Sequence, residues 1–205
     1  MFIFSKLPIY KYSIYIVIII LIIFIALLCY VKHPDFNNLY KSTFINKELS
    51  NSGILNMGLW NYNVKTSSQA QTNMFKLLHK IIGFNKKGVC VWEFGSGYGS
   101  HYHIWNNIGF NNDTLISFDI ADNQIKHINN IIKQNNITNW KAYVHNAEQI
   151  NTISYLNKPD AIISIESAFH FNRYLFIKHA YDKLPYGGKL IMTDILFNNS
   201  QNSII

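Results

Sequence analysis

Cysteine is scarce in this chain. The two that occur, Cys29 and Cys90, form neither a disulfide framework nor a zinc-binding spacing. Cys90 sits in an apolar run and reads as a small core residue; Cys29 reads as apolar filler near the end of a hydrophobic segment. A basic stripe is also missing. The only adjacent basic pair is Lys86-Lys87, and there is no Arg-rich arm, so the sequence carries no nucleic-acid footprint. No internal repeat, second domain or metal-ligand cluster is visible. The net charge is +7, of which +4 belongs to residues 33–205, with 15 basic against 11 acidic side chains scattered along them.

What the sequence does have is apolar mass. Nearly half of the 205 residues are apolar, enough for one compact domain plus an extra segment. Part of that mass is the run from Tyr12 to Val31, 20 uncharged residues bounded by Lys11 and Lys32. That is the length of a helix crossing a bilayer core. Fourteen of the 20 are Ile, Leu, Val or Phe, which favours insertion by about 4–8 kcal/mol. Tyr10, Tyr12, Tyr15 and Tyr30 lie near its ends as an aromatic belt would, and His33-Pro34 would stop the helix. The run is long for a signal-peptide core and no small-x-small cleavage site follows, so an uncleaved transmembrane helix over 12–31 is expected. Lysines flank both sides, so charge alone does not set its orientation.

Residues 32–66 are polar and Asn-rich and read as a linker and lead-in. After them the chain alternates. A helix is expected from a Ser67 cap to a Gly83 stop, with Ala70, Met74, Leu77, Leu78 and Ile81 on its apolar face. Strands are expected at 89–94, 114–118, 140–144, 161–165 and 189–195, with helices at 100–108, 122–134 and 173–184. Such alternation implies parallel crossovers and a sheet covered on both faces. Ligands in such sheets bind at the carboxyl ends of the strands.

The strand ends carry the chemistry. The first is followed by Gly95, Gly97 and Gly99, which permit a tight turn and close backbone approach, ahead of a helix N-terminus expected to offer N–H groups. The second is followed by Asp119, placed 20 residues after Gly99 to accept the hydroxyls of a ribose. Asn146-Ala147-Glu148 follows the third strand, and Glu166-Ser167-Ala168-Phe169-His170 the fourth. An NAD site is the rival reading. Its fingerprint is G-x-G-x-x-G, whereas here the spacing is G-x-G-x-G, position 100 is Ser, and Glu93 has no place in it.

These segments resemble the class I S-adenosylmethionine (SAM)-dependent methyltransferases, in particular the small-molecule branch of sterol, tocopherol and ubiquinone-type C-methyltransferases and related O-methyltransferases. The resemblance covers about residues 54–195. Val91-Trp92-Glu93-Phe94-Gly95-Ser96-Gly97-Tyr98-Gly99 is similar to the family's first motif. The segment from Ile163 to Phe171 is similar to the stretch after its fourth strand, and Leu55-Asn56-Met57-Gly58-Leu59-Trp60 to its lead-in, which helps close the active site.

The resemblance implies an α/β Rossmann-like sandwich with SAM bound by Glu93, Gly95, Gly97, Gly99, Asp119, Ile120, Asn146, Ala147 and Glu166. It implies Trp60 and His170 at the acceptor, with His170 as the candidate base and no metal. Three departures stand out. Asn146 replaces the family's Asp, and Tyr186 replaces a Pro that appears one residue early at Pro185. A further helix and two strands that the family carries after the fifth strand have no counterpart in the ten residues after Ile195. The expectation is a transmembrane helix (12–31), a lid-like lead-in (32–66) and a SAM-binding domain (67–205). The expected function is methyl transfer to a small, hydrophobic or lipid-like acceptor at a membrane surface, with the domain in the cytosol, where SAM is found. The alternative is a non-catalytic or fragmentary methyltransferase-like membrane protein that only binds SAM.

Overall fold

Thr66, rather than Ser67, starts the first helix. In the structure, a computed structural model describing residues 54, 56–83, 88–110 and 113–194, helix α1 runs Ser67–Ile82. Thr66 Oγ1 accepts the Gln69 N–H and the Gln69 side chain accepts the Thr66 N–H, a reciprocal capping box. Gly83 stops the helix in the left-handed conformation, as expected. The buried face is rotated from the expected one: Ala70, Gln71, Met74, Phe75, Leu78 and Ile82 face inward, while Leu77 and Ile81 are exposed. The expected membrane helix over 12–31 lies outside the described residues. Among the described residues, no helix is long and apolar enough to cross a membrane.

The strands are β1 (Cys90–Phe94), β2 (Thr114–Asp119), β3 (Trp140–Val144), β4 (Ala161–Ile165) and β5 (Lys189–Thr193). They form one sheet in the order β3-β2-β1-β4-β5, with every pairing parallel. Helices α2 (Tyr102–Asn107), α3 (Asp122–Gln134) and α4 (Arg173–Lys183) make the crossovers after β1, β2 and β4. A short 3-10 turn, Ala147–Thr152, follows β3. Helix α4 ends one residue before the expected Leu184, which is extended because Pro185 follows it. Helix α2 starts two residues later than expected, because the glycine loop continues into turns through Tyr102. The last strand was expected to run to Ile195; it ends at Thr193, with Asp194 already outside it and Ile195 outside the described residues.

Period-two alternation assigns the two faces of the sheet. Val91, Leu115, Ala142, Ala161 and Ile163 pack with Phe75, Leu78, Trp105, Ile125 and Ile128 from α1, α2 and α3. Trp92, Phe94, Ile116, Phe118 and Ile162 pack with Ile150, Phe176 and Ala180 from the 3-10 turn and α4. Cys90 is half-buried against this second cluster, and burial pushes its thiol up to about 11, so it is an inert thiol at neutral pH. Lys189 Nζ donates to the carbonyls of Ile81 and Ile82, at 2.6 and 3.1 Å, and ties β5 to the negative end of α1.

Phe118 is fully buried, stacked on Phe94 at 4.7 Å and edge-on to Trp92 at 5.4 Å. Phe118→Ala should therefore lower the stability by about 3–5 kcal/mol in urea unfolding followed by circular dichroism. A loss of less than about 1 kcal/mol would contradict this packing.

Candidate functional site

The strand order sends the crossover after β1 to one side of the sheet, while β4 pairs on the other side of β1. The carboxyl ends of β1 and β4 thus flank a topological switch point, where open α/β sheets bind ligands. The expected residues gather at these ends. The glycine loop follows β1, Asp119 closes β2, Asn146 follows β3, and Glu166 to His170 follow β4.

The loop is built by close contacts. Gly95 has φ +76°, and a Cβ there would lie 2.3 Å from Ser167 Oγ. Ser167 in turn donates to the Phe94 carbonyl at 3.0 Å, so the ends of β1 and β4 are locked together. Gly99 lies against the Trp140 ring. The N–H groups of Gly95 and Ser96 donate to the Phe118 carbonyl, Gly97 to Asp119 Oδ2, and Gly99 to the Ser96 carbonyl. Three of these four amides hold the loop against β2, and the Gly99 N–H closes a turn within the loop. Ser96 is 6% exposed, and its buried hydroxyl makes no hydrogen bond among the described residues.

Asp119 is the acceptor around which the loop turns. Gly97 N–H reaches its Oδ2 at 2.9 Å and Ala121 N–H its Oδ1 at 2.9 Å. The Gln124 amide nitrogen, in the orientation that donates, is 3.1 and 3.2 Å from the two oxygens. Burial raises the Asp119 pKa, and the backbone donors oppose that only in part. Ile120 beside it is 57% exposed, an apolar side chain at the rim. Asn146 uses its Oδ1 to accept the Glu148 N–H at 2.9 Å and so caps the 3-10 turn. Ala147 is buried in the second core cluster.

Glu93 sits beneath the loop at 2% exposure. His101 Nε2 is 2.9 Å from its carboxylate oxygens, Ser117 Oγ donates to Oε2 at 3.0 Å, and Trp140 Nε1 donates to Ser117 Oγ at 2.9 Å. Ser117 is directly opposite Glu93 in the β1–β2 register. His101 also stacks on Phe75 of α1, with centroids 5.1 Å apart. The sequence-based expectation gave Glu93 a cofactor contact and His101 no role. The structure makes the pair an internal support of the loop. The signal was Ser117, a hydroxyl in the apolar middle of β2, but it does not identify the histidine.

At the end of β4, Glu166 has φ +47°, an uncommon backbone region for a residue with a Cβ, which costs about 1–3 kcal/mol. Its N–H is held by both the carbonyl and the hydroxyl of Thr193, at 2.9 and 3.0 Å. Its Oε2 accepts the Met57 N–H at 2.8 Å. Trp60 is 52% exposed, and its ring N–H donates back to the Met57 carbonyl at 2.9 Å. Glu166 and Trp60, both expected at the site, are therefore joined through Met57, which the sequence did not single out. His170 lies one turn beyond Glu166 against the Phe169 ring. Burial lowers the His170 pKa, with Asp194 acting weakly the other way. Asp194 Oδ2 accepts the Arg173 Nε at 2.5 Å. Among the described residues, no group of side chains could hold a metal ion.

Solved structures share this architecture. A coclaurine N-methyltransferase bound to N-methylheliamine and S-adenosylhomocysteine (SAH) is 19% identical, with a TM-score of 0.56 over 67% of this chain and 39% of its own. A mycolic acid cyclopropane synthase complexed with SAH and CTAB is 17% identical, with a TM-score of 0.58 over 74% of this chain and 54% of its own. The [4+2]-cyclase SpnF is 15% identical, with a TM-score of 0.66 over 80% of this chain and 60% of its own. The chain thus spans less than two thirds of the length of each. No protein-family model matches the chain, and no curated protein matches it. Likeness at this identity is a likeness of fold, and the cyclase shows that more than one chemistry uses it. The chain has the fold of the class I SAM-dependent methyltransferases.

Proposed function

We propose that this chain is a SAM-dependent methyltransferase acting on a small, hydrophobic or lipid-like acceptor. The observation that carries the reading is the loop 95–99 wrapped around Asp119 at the switch point, in a fold that two SAH complexes share. The residues suit the cofactor. Asp119 is the acceptor for ribose hydroxyls, in competition with Gln124. Ile120 offers an apolar surface to the adenine ring, and Ser96 an unsatisfied buried hydroxyl. Bound SAM supplies a methyl group on a positively charged sulfur.

The chain's own part is to align the acceptor with that carbon and take up its proton. His170 is the base in this reading. Its lowered pKa keeps the ring neutral, and able to accept a proton, at neutral pH. A second reading is a methyltransferase-like chain that binds SAM without methyl transfer; it is favoured by the fold also serving a [4+2]-cyclase, so that the fold alone does not specify methyl transfer. The segment 12–31 would hold the protein in a membrane with the SAM-binding domain in the cytosol, near an apolar acceptor.

SAM titration by calorimetry separates binding from its absence. Asp119→Ala should weaken binding at least about tenfold, the equivalent of about 1.4 kcal/mol. Binding requires the ionised carboxylate, whose proton returns at a higher pH than for an ordinary Asp. Affinity should thus be full above that raised value and fall as the pH drops through it, and Asp119→Asn should flatten this limb. Equal affinity in wild type and Asp119→Ala would end the reading.

With an accepted substrate, His170→Gln should lower kcat by about 10²–10⁴. The acid limb of wild-type kcat/KM should lie below the ordinary histidine value of about 6.5 and vanish in the variant. An unchanged profile would remove His170 from the proton transfer. For the membrane, the full chain should resist carbonate extraction from vesicles, and a chain lacking 12–31 should be released. Release of both would refute the anchor.

A further inference from the structure

We propose that Glu166 is a positioning residue: its carboxylate straps the segment 56–60 across the carboxyl end of β4 and so sets the apolar wall of the acceptor site. The segment has no regular secondary structure, yet it is tied down along its length. The Gln71 side-chain amide donates to the Asn56 carbonyl at 2.9 Å, and the Leu59 N–H donates to the Ala70 carbonyl at 2.8 Å. The backbone at Gly58 is pressed against α1, where a Cβ would come within 2.4 Å of Ala70. Those ties all lead to α1. The Met57 N–H to Glu166 Oε2 bond joins the segment to the sheet, across 109 positions of sequence.

Glu166 is itself fixed from the other side. Its left-handed backbone is uncommon for its residue type, and two acceptors on Thr193 of β5 hold its N–H there. Non-glycine residues in such regions persist where the surroundings over-determine them, and they cluster at ligand clamps and switches. The strap therefore runs from α1 through Met57 and Glu166 to β5. What it presents is apolar and unpacked: Met57, Leu59 and Trp60 are all exposed. Glu166 Oε2 is engaged by the Met57 amide, and it is through that bond that the residue would position the segment for the acceptor.

The strap can be tested without SAM or turnover, so its failure is distinguishable from failure of the methyltransferase reading. Trp92, Trp105 and Trp140 are each 1% exposed or less, which leaves Trp60 as the tryptophan that acrylamide reaches among the described residues. On the full chain, Glu166→Ala should increase acrylamide quenching of Trp60. Glu166→Gln, whose amide oxygen still accepts the Met57 N–H, should leave it as in wild type, and Trp60→Phe should abolish the difference. Equal quenching in all Glu166 variants would overturn the proposal, as would Gln behaving like Ala.

If the Ala variant does not fold, hydrogen exchange on the wild type and Glu166→Gln decides. The Met57 amide should be protected in both, and fast exchange there would overturn the strap. Where turnover is measured, Glu166→Ala should raise the acceptor KM about tenfold while SAM affinity holds. Loss of SAM affinity instead would make Glu166 a cofactor residue and refute the proposal.

Discussion

A carboxylate buried beneath a glycine loop is the constraint on which this structure turns. Placing Glu93 out of water costs several kcal/mol unless donors meet it. His101 and Ser117 meet it, and Trp140 holds Ser117. One side chain thereby links β1 to β2, β2 to β3, and β1 to the approach to α2. Stacking of His101 on Phe75 extends the link to α1. The loop 95–99 is the chain between Glu93 and His101, so both of its ends are pinned by one contact. Its shape is a property of the protein before any ligand arrives, which is what preorganised binding requires.

The sheet adds a second lock. Ser167 presses on Gly95 from β4, and Gly97 grips Asp119 from β1. The rim is therefore held by polar contacts over two apolar layers. Below it, alternate residues of the same strands fill separate cores on the two faces. Stability and site geometry are divided between adjacent residues: Trp92 and Phe94 pack one face while Glu93, between them, braces the loop on the other.

Much of this was legible in the sequence wherever local physics decides. β3 and β4 fall within their expected bounds because both are five-residue segments bounded by turn signals, too short for a helix, β3 alternating and β4 apolar. α3 does so because its isoleucines repeat at helical spacing. The face of α1 was misread because a buried Gln71 interrupts its apolar stripe, and that glutamine is there to bind the carbonyls of Ile54 and Asn56. Thr66 was passed over for Ser67 because the two are adjacent hydroxyls, and only Gln69 three positions after Thr66 breaks the tie. The histidine partner of Glu93 and the Met57 partner of Glu166 were not legible. His101 shares no strand with Glu93, and Met57 meets Glu166 through a backbone amide, which has no sequence signature.

The parallel order of the sheet also sets a timetable for synthesis. β1 pairs with β2 soon after both emerge, but its other edge waits for β4. The Cys90 N–H meets its Asp160 acceptor 70 residues later. At ribosomal rates of about 5–20 residues per second, that gap lasts on the order of ten seconds. For that interval the nascent chain carries an unpaired strand edge beside Trp92 and Phe94, apolar on the face that α4 later covers. Such an edge invites pairing with other chains. The strand that carries the glycine loop is thus also one whose second edge is open to mispairing while the chain is being made.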